Sequence, residues 1–206
     1  MIRAQVLAAT VAGKPLFWIA FIVAMFSWPI LRSLHAERHL RPARAVLGGI
    51  RDFTLRDHDG TDLGASELRG RIWLASFTTI AQATTHAQSR RTMLKLDEVR
   101  HRTRNLGDTF RLLTFPLDPD RDTAERMLAL AVTHRASHGS WRFVSGPVAR
   151  VREVLLDFKI SETTPQSRVA LVDGNMSIRG YYDLARDDAV PLLLRDVSRL
   201  LSPRPE

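Results

Sequence analysis

Cysteine is absent from all 206 residues. That excludes disulfides, thiolate nucleophiles, cysteine-ligated zinc, iron–sulfur clusters and every form of CxxC redox chemistry. It leaves the compartment open, because a chain without thiols is at ease in oxidising and reducing surroundings alike. Acidic residues are scarce at one end. Residues 1–50 carry six basic side chains and one acid, Glu37, for a net +5, whereas the other 156 residues come to +3. A pI near 11.0 therefore reflects a charged collar around one segment more than a nucleic-acid-binding surface. GxSxG, HExxH and P-loop signatures are missing, as are internal repeats and low-complexity tracts. With 45% hydrophobic and 25% charged residues, what is left is a globular chain long enough for one domain and an appendage.

The appendage is an apolar run. Residues 15–31 (PLFWIAFIVAMFSWPIL) contain no charge over 17 positions, the short end of a membrane-spanning helix, with Trp18 and Trp28 placed as interfacial aromatics. A cleaved signal peptide would have a shorter apolar core and a small-x-small exit. Here the exit is Trp28-Pro29-Ile30-Leu31-Arg32, and a lipoprotein signal would need a cysteine. The sequence is therefore read as an uncleaved anchor over 1–35, a basic linker over 36–50 ending in Gly48-Gly49, and a body over 51–206. Four basic residues follow the run and two precede it, so a strict positive-inside count would leave the body in the cytoplasm. That count is not decisive for a single anchor before a long domain.

In the body, apolar periodicity alternates between strand and helix. Residues 53–55 and 61–63 flank Asp57-His58-Asp59-Gly60 as a hairpin, and 71–77 (RIWLASF) read as an interior strand. Met93, Leu96, Val99 and Leu106 stripe a helix over 88–106, and 110–117 form the next strand. Asp122-Thr123-Ala124-Glu125 has capping-box spacing, with Asp122 as N-cap of a helix to about Ser137. A strand at 141–144, a helix at 148–158, a hairpin of 168–173 with 177–182 around Gly174-Asn175, and a helix at 187–201 complete the chain. The order β-β-β-α-β-α-β-α-β-β-α predicts an α/β, thioredoxin-like architecture: a mixed central sheet, helices on both faces and an extra N-terminal hairpin. Gly70, Pro119 and Gly174 are each expected at a boundary between elements.

Several phrases, in order, carry a family resemblance. They are Phe53-x-Leu55-x-Asp57-x-x-Gly60, Leu68-x-Gly70-Arg71, a strand ending Phe77-Thr78, and Leu117-Asp118-Pro119-Asp120-Arg121-Asp122-Thr123. Further on come Trp141-x-Phe143-Val144-Ser145-Gly146, Leu171-Val172-Asp173 and Ile178-Arg179-Gly180-Tyr181-Tyr182-Asp183. The chain resembles the SCO/SenC family over 51–200, membrane-anchored thioredoxin-fold proteins associated with copper delivery to cytochrome c oxidase. The resemblance implies a CPxxCP-type motif after the strand ending at Phe77 and a distal histidine before the Leu-Val-Asp strand. Counting from Phe77, the two cysteine positions fall on Gln82 and His86; counting back from Leu171, the histidine position falls on Pro165. An amide is a poor ligand for soft copper and proline offers none, so the scaffold is kept while the donors are lost.

Other candidates have ordinary readings beside them. His86 stands where a ligand would and is the weak candidate for one, against a solvent-exposed loop histidine. His134 and His138, and likewise His35 and His39, are spaced i, i+4 as metal pairs are, and chance placement accounts for both. Arg90, Arg91, Lys95, Arg100, Arg102 and Arg104 could meet phosphate or anionic lipid, but no aromatics are interleaved for base stacking and a solvated helix face accounts for them. Asp118, Asp120 and Asp122 are assigned a structural job rather than a cation. The expectation is a non-enzymatic inner-membrane protein of the SCO/SenC type, with its body on the periplasmic side. It holds no cofactor of its own, copper being implied by the family and unsupported by the residues. It serves respiratory oxidase assembly through a protein partner, without nucleic acid. The alternative is a histidine-based metal-binding or metal-sensing protein on the same scaffold.

Overall fold

A computed structural model describes residues 46–136 and 139–202. The apolar run 15–31, most of the linker, His35, His39 and His138 lie outside them; among the described residues no helix is long and apolar enough to cross a membrane.

The strongest β signal in the chain builds the centre. Strand β4 (Ile72–Thr78) is buried at every position, and so is β5 (Phe110–Pro116), which runs parallel to it in continuous register from Ile72–Phe110 to Thr78–Pro116. Strands buried on both sides read as near-continuous apolar runs, as these do. Around them the eight-stranded sheet has the order β1-β8-β7-β4-β5-β6-β2-β3. β6 (Trp141–Ser145) is parallel to β5, and β7 (Arg168–Val172) is antiparallel to β4. β8 (Ser177–Asp183) is antiparallel to β7, and the hairpin of β2 (Thr54–Asp57) and β3 (Asp62–Gly64) joins the far edge through β6. The expected order of elements and both hairpins are present. The short strand β1 (Gly48–Gly49) pairs with β8, so the last residues of the stretch read as linker belong to the sheet.

Alternation along β4 divides the core. Trp73, Ala75 and Phe77 face one side with Phe115, Phe158 and the helix α5 (Val148–Asp157). Ile72 and Leu74 face the other, with Met93, Leu96 and Val99 of α3 (Ala87–Thr103), Met127 and Leu130 of α4 (Ala124–Thr133), and Val190, Leu193 and Val197 of α6 (Ala189–Leu201). The stripe read from the sequence is thus the buried face of α3, and the arginine-rich face points outward. Two short helices escaped the sequence reading: α1 (Ala65–Leu68) and α2 (Ile80–Thr85), the latter directly after β4.

Three expected details differ. The helix expected over 88–106 ends at Thr103 and passes into a 3-10 segment, Arg104–Thr109, in which Gly107 has φ 51°. The helix expected to reach Ser137 ends at Thr133, because Arg135 takes the left-handed conformation at φ 49° while the Ala136 amide returns to the Ala131 carbonyl at 2.9 Å. Its N-cap is Thr123, not Asp122, whose carboxylate is engaged elsewhere. Gly70, Pro119 and Gly174 do fall between elements. Gly70 takes φ 78°, its amide donates to the Gly174 carbonyl at 2.9 Å, and a Cβ on Gly174 would lie 2.8 Å from the Gly70 Cα, so the two turns touch backbone to backbone.

Candidate functional site

The carboxyl ends of parallel strands are where an α/β sheet collects its loops, and ligands bind there. In this chain three segments meet at the end of β4. The Leu117 amide donates to the Thr78 carbonyl at 2.7 Å, which ties the loop after β5 to the end of β4. Thr78 Oγ1 donates to Gln166 Oε1 at 3.2 Å, which brings in the loop before β7. The Ile80 amide donates to Asp122 Oδ1 at 3.2 Å, which pins the start of α2 to the loop leading into α4.

Asp122 is therefore a fastener rather than a cap. It is 3% exposed, and its Oδ2 is buried without a hydrogen-bond partner. Burial raises its pKa above the ordinary carboxylate value, opposed by the Ile80 amide bond and reinforced by the neighbouring Asp118. Asp118 pairs with Arg121 at 3.7 Å and Asp120 with Arg152, so the three aspartates have separate partners, and the job of Asp122 is not the cap expected of it. Sequence spacing could mark Asp122 as a polar residue before a helix; its true partner lies 42 residues away.

The positions counted from the family resemblance lie on the segments that these bonds join. Gln82 is in α2, and His86 is the exposed residue between α2 and α3, its carbonyl accepting the Arg90 amide at 3.1 Å. Pro165 is exposed in the loop before β7, and its carbonyl accepts the Arg168 amide at 2.9 Å. The structure thus brings the two loops together through Thr78 and Gln166. It supplies no imidazole or thiolate from the 165 side, so the residues present do not fit a copper site of two sulfurs and one nitrogen. Among the described residues, no group of three or more His, Asp or Glu could hold a metal.

His134 lies one residue past the end of α4, its ring 5.6 Å from Trp141 and stacked on Phe143 at 6.4 Å and 12°. Burial lowers its pKa, Asp97 opposing and Arg100 reinforcing the effect. Beneath it runs a buried polar chain that no sequence motif announces. Trp141 Nε1 donates to Thr114 Oγ1 at 2.8 Å, Thr114 and Ser76 share a bond of 2.7 Å, and Ser76 Oγ donates to the Leu113 carbonyl at 3.2 Å. The basic stripe is dispersed. Lys95 Nζ donates to the Arg186 carbonyl at 2.8 Å, Arg100 is paired with Asp97 and lies 5.9 Å over Trp141, and Arg102 is paired with Glu98 at 3.1 Å.

A mixed sheet, helices on both faces and a loop junction at the end of its central parallel strand define a thioredoxin-like protein. More narrowly, the SCO1/SenC family model matches residues 44–189, and the chain belongs to that family. A SCO1 protein homolog from Bacillus subtilis is 24% identical over 103 residues, which is 47% of this chain and 49% of that protein; the match thus spans about half the length of the curated relative. Among solved structures, BsSco, a member of the Sco family of cytochrome c oxidase assembly proteins with a disulfide switch, is similar at TM-score 0.66 and 19% identity, over 78% of this chain and 98% of that one. Arabidopsis thaliana ScoI with copper bound is similar at TM-score 0.57 and 15% identity, over 73% and 98% respectively.

Proposed function

We propose that this chain is an accessory factor in building the copper centre of cytochrome c oxidase, acting through protein contacts and carrying neither copper nor electrons. The assembly context comes from family membership and from the role of BsSco. One observation carries the rest: the whole scaffold of the family is present over a chain that contains no cysteine. The apolar run 15–31 anchors the protein in the inner membrane, and the body works on the periplasmic side, where an oxidase copper centre is assembled.

The local backbone favours a particular frame for the lost ligands. In a CPxxCP-type motif a proline follows each cysteine. Framed on Gln82, the first proline falls on Ala83, whose amide donates to the Thr79 carbonyl at 2.9 Å, a bond that proline cannot make. Two residues nearer the strand, the cysteines fall on Ile80 and Thr84, one helical turn apart on α2, and the prolines on Ala81 and Thr85, which leaves the Ala83 bond in place. The frame on Ile80 and Thr84 is the one we adopt, with Pro165 in place of the histidine.

The test is affinity capture of the tagged full chain from its native membranes, with the co-purifying proteins identified by mass spectrometry. The proposal expects oxidase subunits or their assembly partners to be enriched over an untagged control. Intact recovery of the chain without them would reject the assembly role. Stoichiometric metal, lost on His86→Ala, would support a histidine-based metal protein instead.

A further inference from the structure

A groove of about 580 Å³ lies between α2, α3 and α4 on the outer side of the second core layer. Ile80 and Ala83 contribute from α2, Leu94 from α3 and Ala129 from α4, and Leu94 is 69% exposed. The lining is mostly apolar, and the groove is open to solvent on the outside of helices that already bury their own stripes against the sheet. The rim is basic. Arg90 on α3 and Arg126 on α4 both line the groove, and neither forms an ion pair among the described residues; Arg126 donates only to the Arg121 carbonyl, at 2.9 Å. No lining residue is acidic. Farther along α3, Arg100 and Arg102 each have a carboxylate close by, while exposed Arg91, beside Arg90 in sequence, lies outside the groove lining.

We infer that this groove receives an acidic amphipathic segment of a partner protein. Its apolar side chains would lie along Ile80, Ala83, Leu94 and Ala129, with carboxylates reaching Arg90 and Arg126. Two helices flanking a trough suit a helix laid between them, with anchors at i, i+3/i+4 and i+7. Unpaired guanidinium groups at the rim favour carboxylates and disfavour a basic partner, which gives orientation and selectivity more than bulk affinity. A bilayer is the poorer occupant, because a flat surface cannot follow a groove set between helices. The inference rests on reading the chain as one that acts through protein contacts, and it gives that contact a place beside the junction that would have held copper.

The experiment uses the full chain in detergent micelles and a fluorescein-labelled synthetic helix of 18 residues with leucine anchors on one face and glutamate elsewhere. A twin with lysine for glutamate serves as control, and binding is read by fluorescence anisotropy. Saturable binding of the acidic peptide and not of its twin is expected. Arg90→Glu/Arg126→Glu should weaken binding by about tenfold or more, and Ala129→Trp, which fills the trough from an exposed position, should abolish it. Arg150→Glu/Lys159→Glu makes the same charge change away from the groove and should leave binding intact, with circular dichroism confirming the fold of each variant. Equal weakening by the two charge reversals would reduce the effect to general attraction and overturn the inference. So would no binding of the acidic peptide, or binding only to phosphatidylglycerol vesicles. Oxidase subunits still captured by the Arg90→Glu/Arg126→Glu variant would discard the groove and leave the assembly role standing.

Discussion

A buried aspartate and a half-buried histidine give the molecule opposite responses to acid. The Asp122 pKa is raised, so the folded state holds this proton more tightly than the unfolded chain does. Its contribution to stability is full below the unfolded value near 3.8 and is lost as pH rises through the folded value. Asp122→Asn keeps an acceptor for the Ile80 amide and removes a buried charge. At neutral pH it should therefore stabilise the body by about 1 kcal/mol, with the difference in Tm from the unmodified chain shrinking towards pH 4. A difference constant from pH 4 to 8 would show that Asp122 does not titrate as its burial requires. His134 runs the other way. Its pKa is lowered by burial, so the unfolded chain binds the proton more tightly, and its contribution is full above the unfolded value near 6.5 and lost as pH falls through the folded value. Thermal melts of His134→Gln should show a flatter dependence of Tm on pH below neutrality than the unmodified chain. An unchanged slope would assign that acid sensitivity to other groups.

At the scale of elements, the contact between the two turns and the buried polar chain are the joints to break. Gly174→Ala would push a Cβ into the Gly70 backbone and should cost about 2 kcal/mol or more by denaturant unfolding. Thr114→Val leaves the Trp141 indole N–H without its acceptor and should cost about 1–3 kcal/mol; a loss below a few tenths of that range would mean the indole finds another acceptor. The elements that were legible in the sequence are those whose period or turn chemistry is local. β4 and β5 are unbroken apolar runs, the stripe of α3 repeats at helical spacing, and Asp173 folds its own turn by accepting the Asn175 and Ser177 amides at 2.9 and 3.0 Å. What escaped the sequence is set by distant partners. α2 is only six residues long, too short for a periodic signal, and β1 exists only because β8 lies beside it. Asp122 was placed at a helix start by spacing, yet its carboxylate serves the amide of another element. The same limit applied to the site: counting along the sequence could bring Gln82, His86 and Pro165 near the right loops. The choice of frame proposed on α2 rests on a backbone bond, that of Ala83 to Thr79, which no count along the sequence contains.

At the scale of the whole molecule, the proposed anchor leaves the side of the membrane to be tested, because the basic-residue count favours the cytoplasm and the proposed assembly role requires the periplasm. A periplasm-dependent reporter fused after Glu206 should be active and a cytoplasm-dependent one silent; the reverse would place the assembly role out of reach of the copper centre. The central claim is that a complete SCO1/SenC scaffold here operates without the family's ligands, and competition for Cu(I) tests it most directly. The full chain and the variant Ile80→Cys/Thr84→Cys/Pro165→His are each titrated against a calibrated Cu(I) chelator, with Gln82→Cys/His86→Cys/Pro165→His as the other frame. The account predicts that the unmodified chain surrenders its copper at every ratio. The variant framed on Ile80 and Thr84 should retain one equivalent, because it restores the two thiolates and the imidazole that suit Cu(I). Tight, stoichiometric Cu(I) binding by the unmodified chain would contradict it.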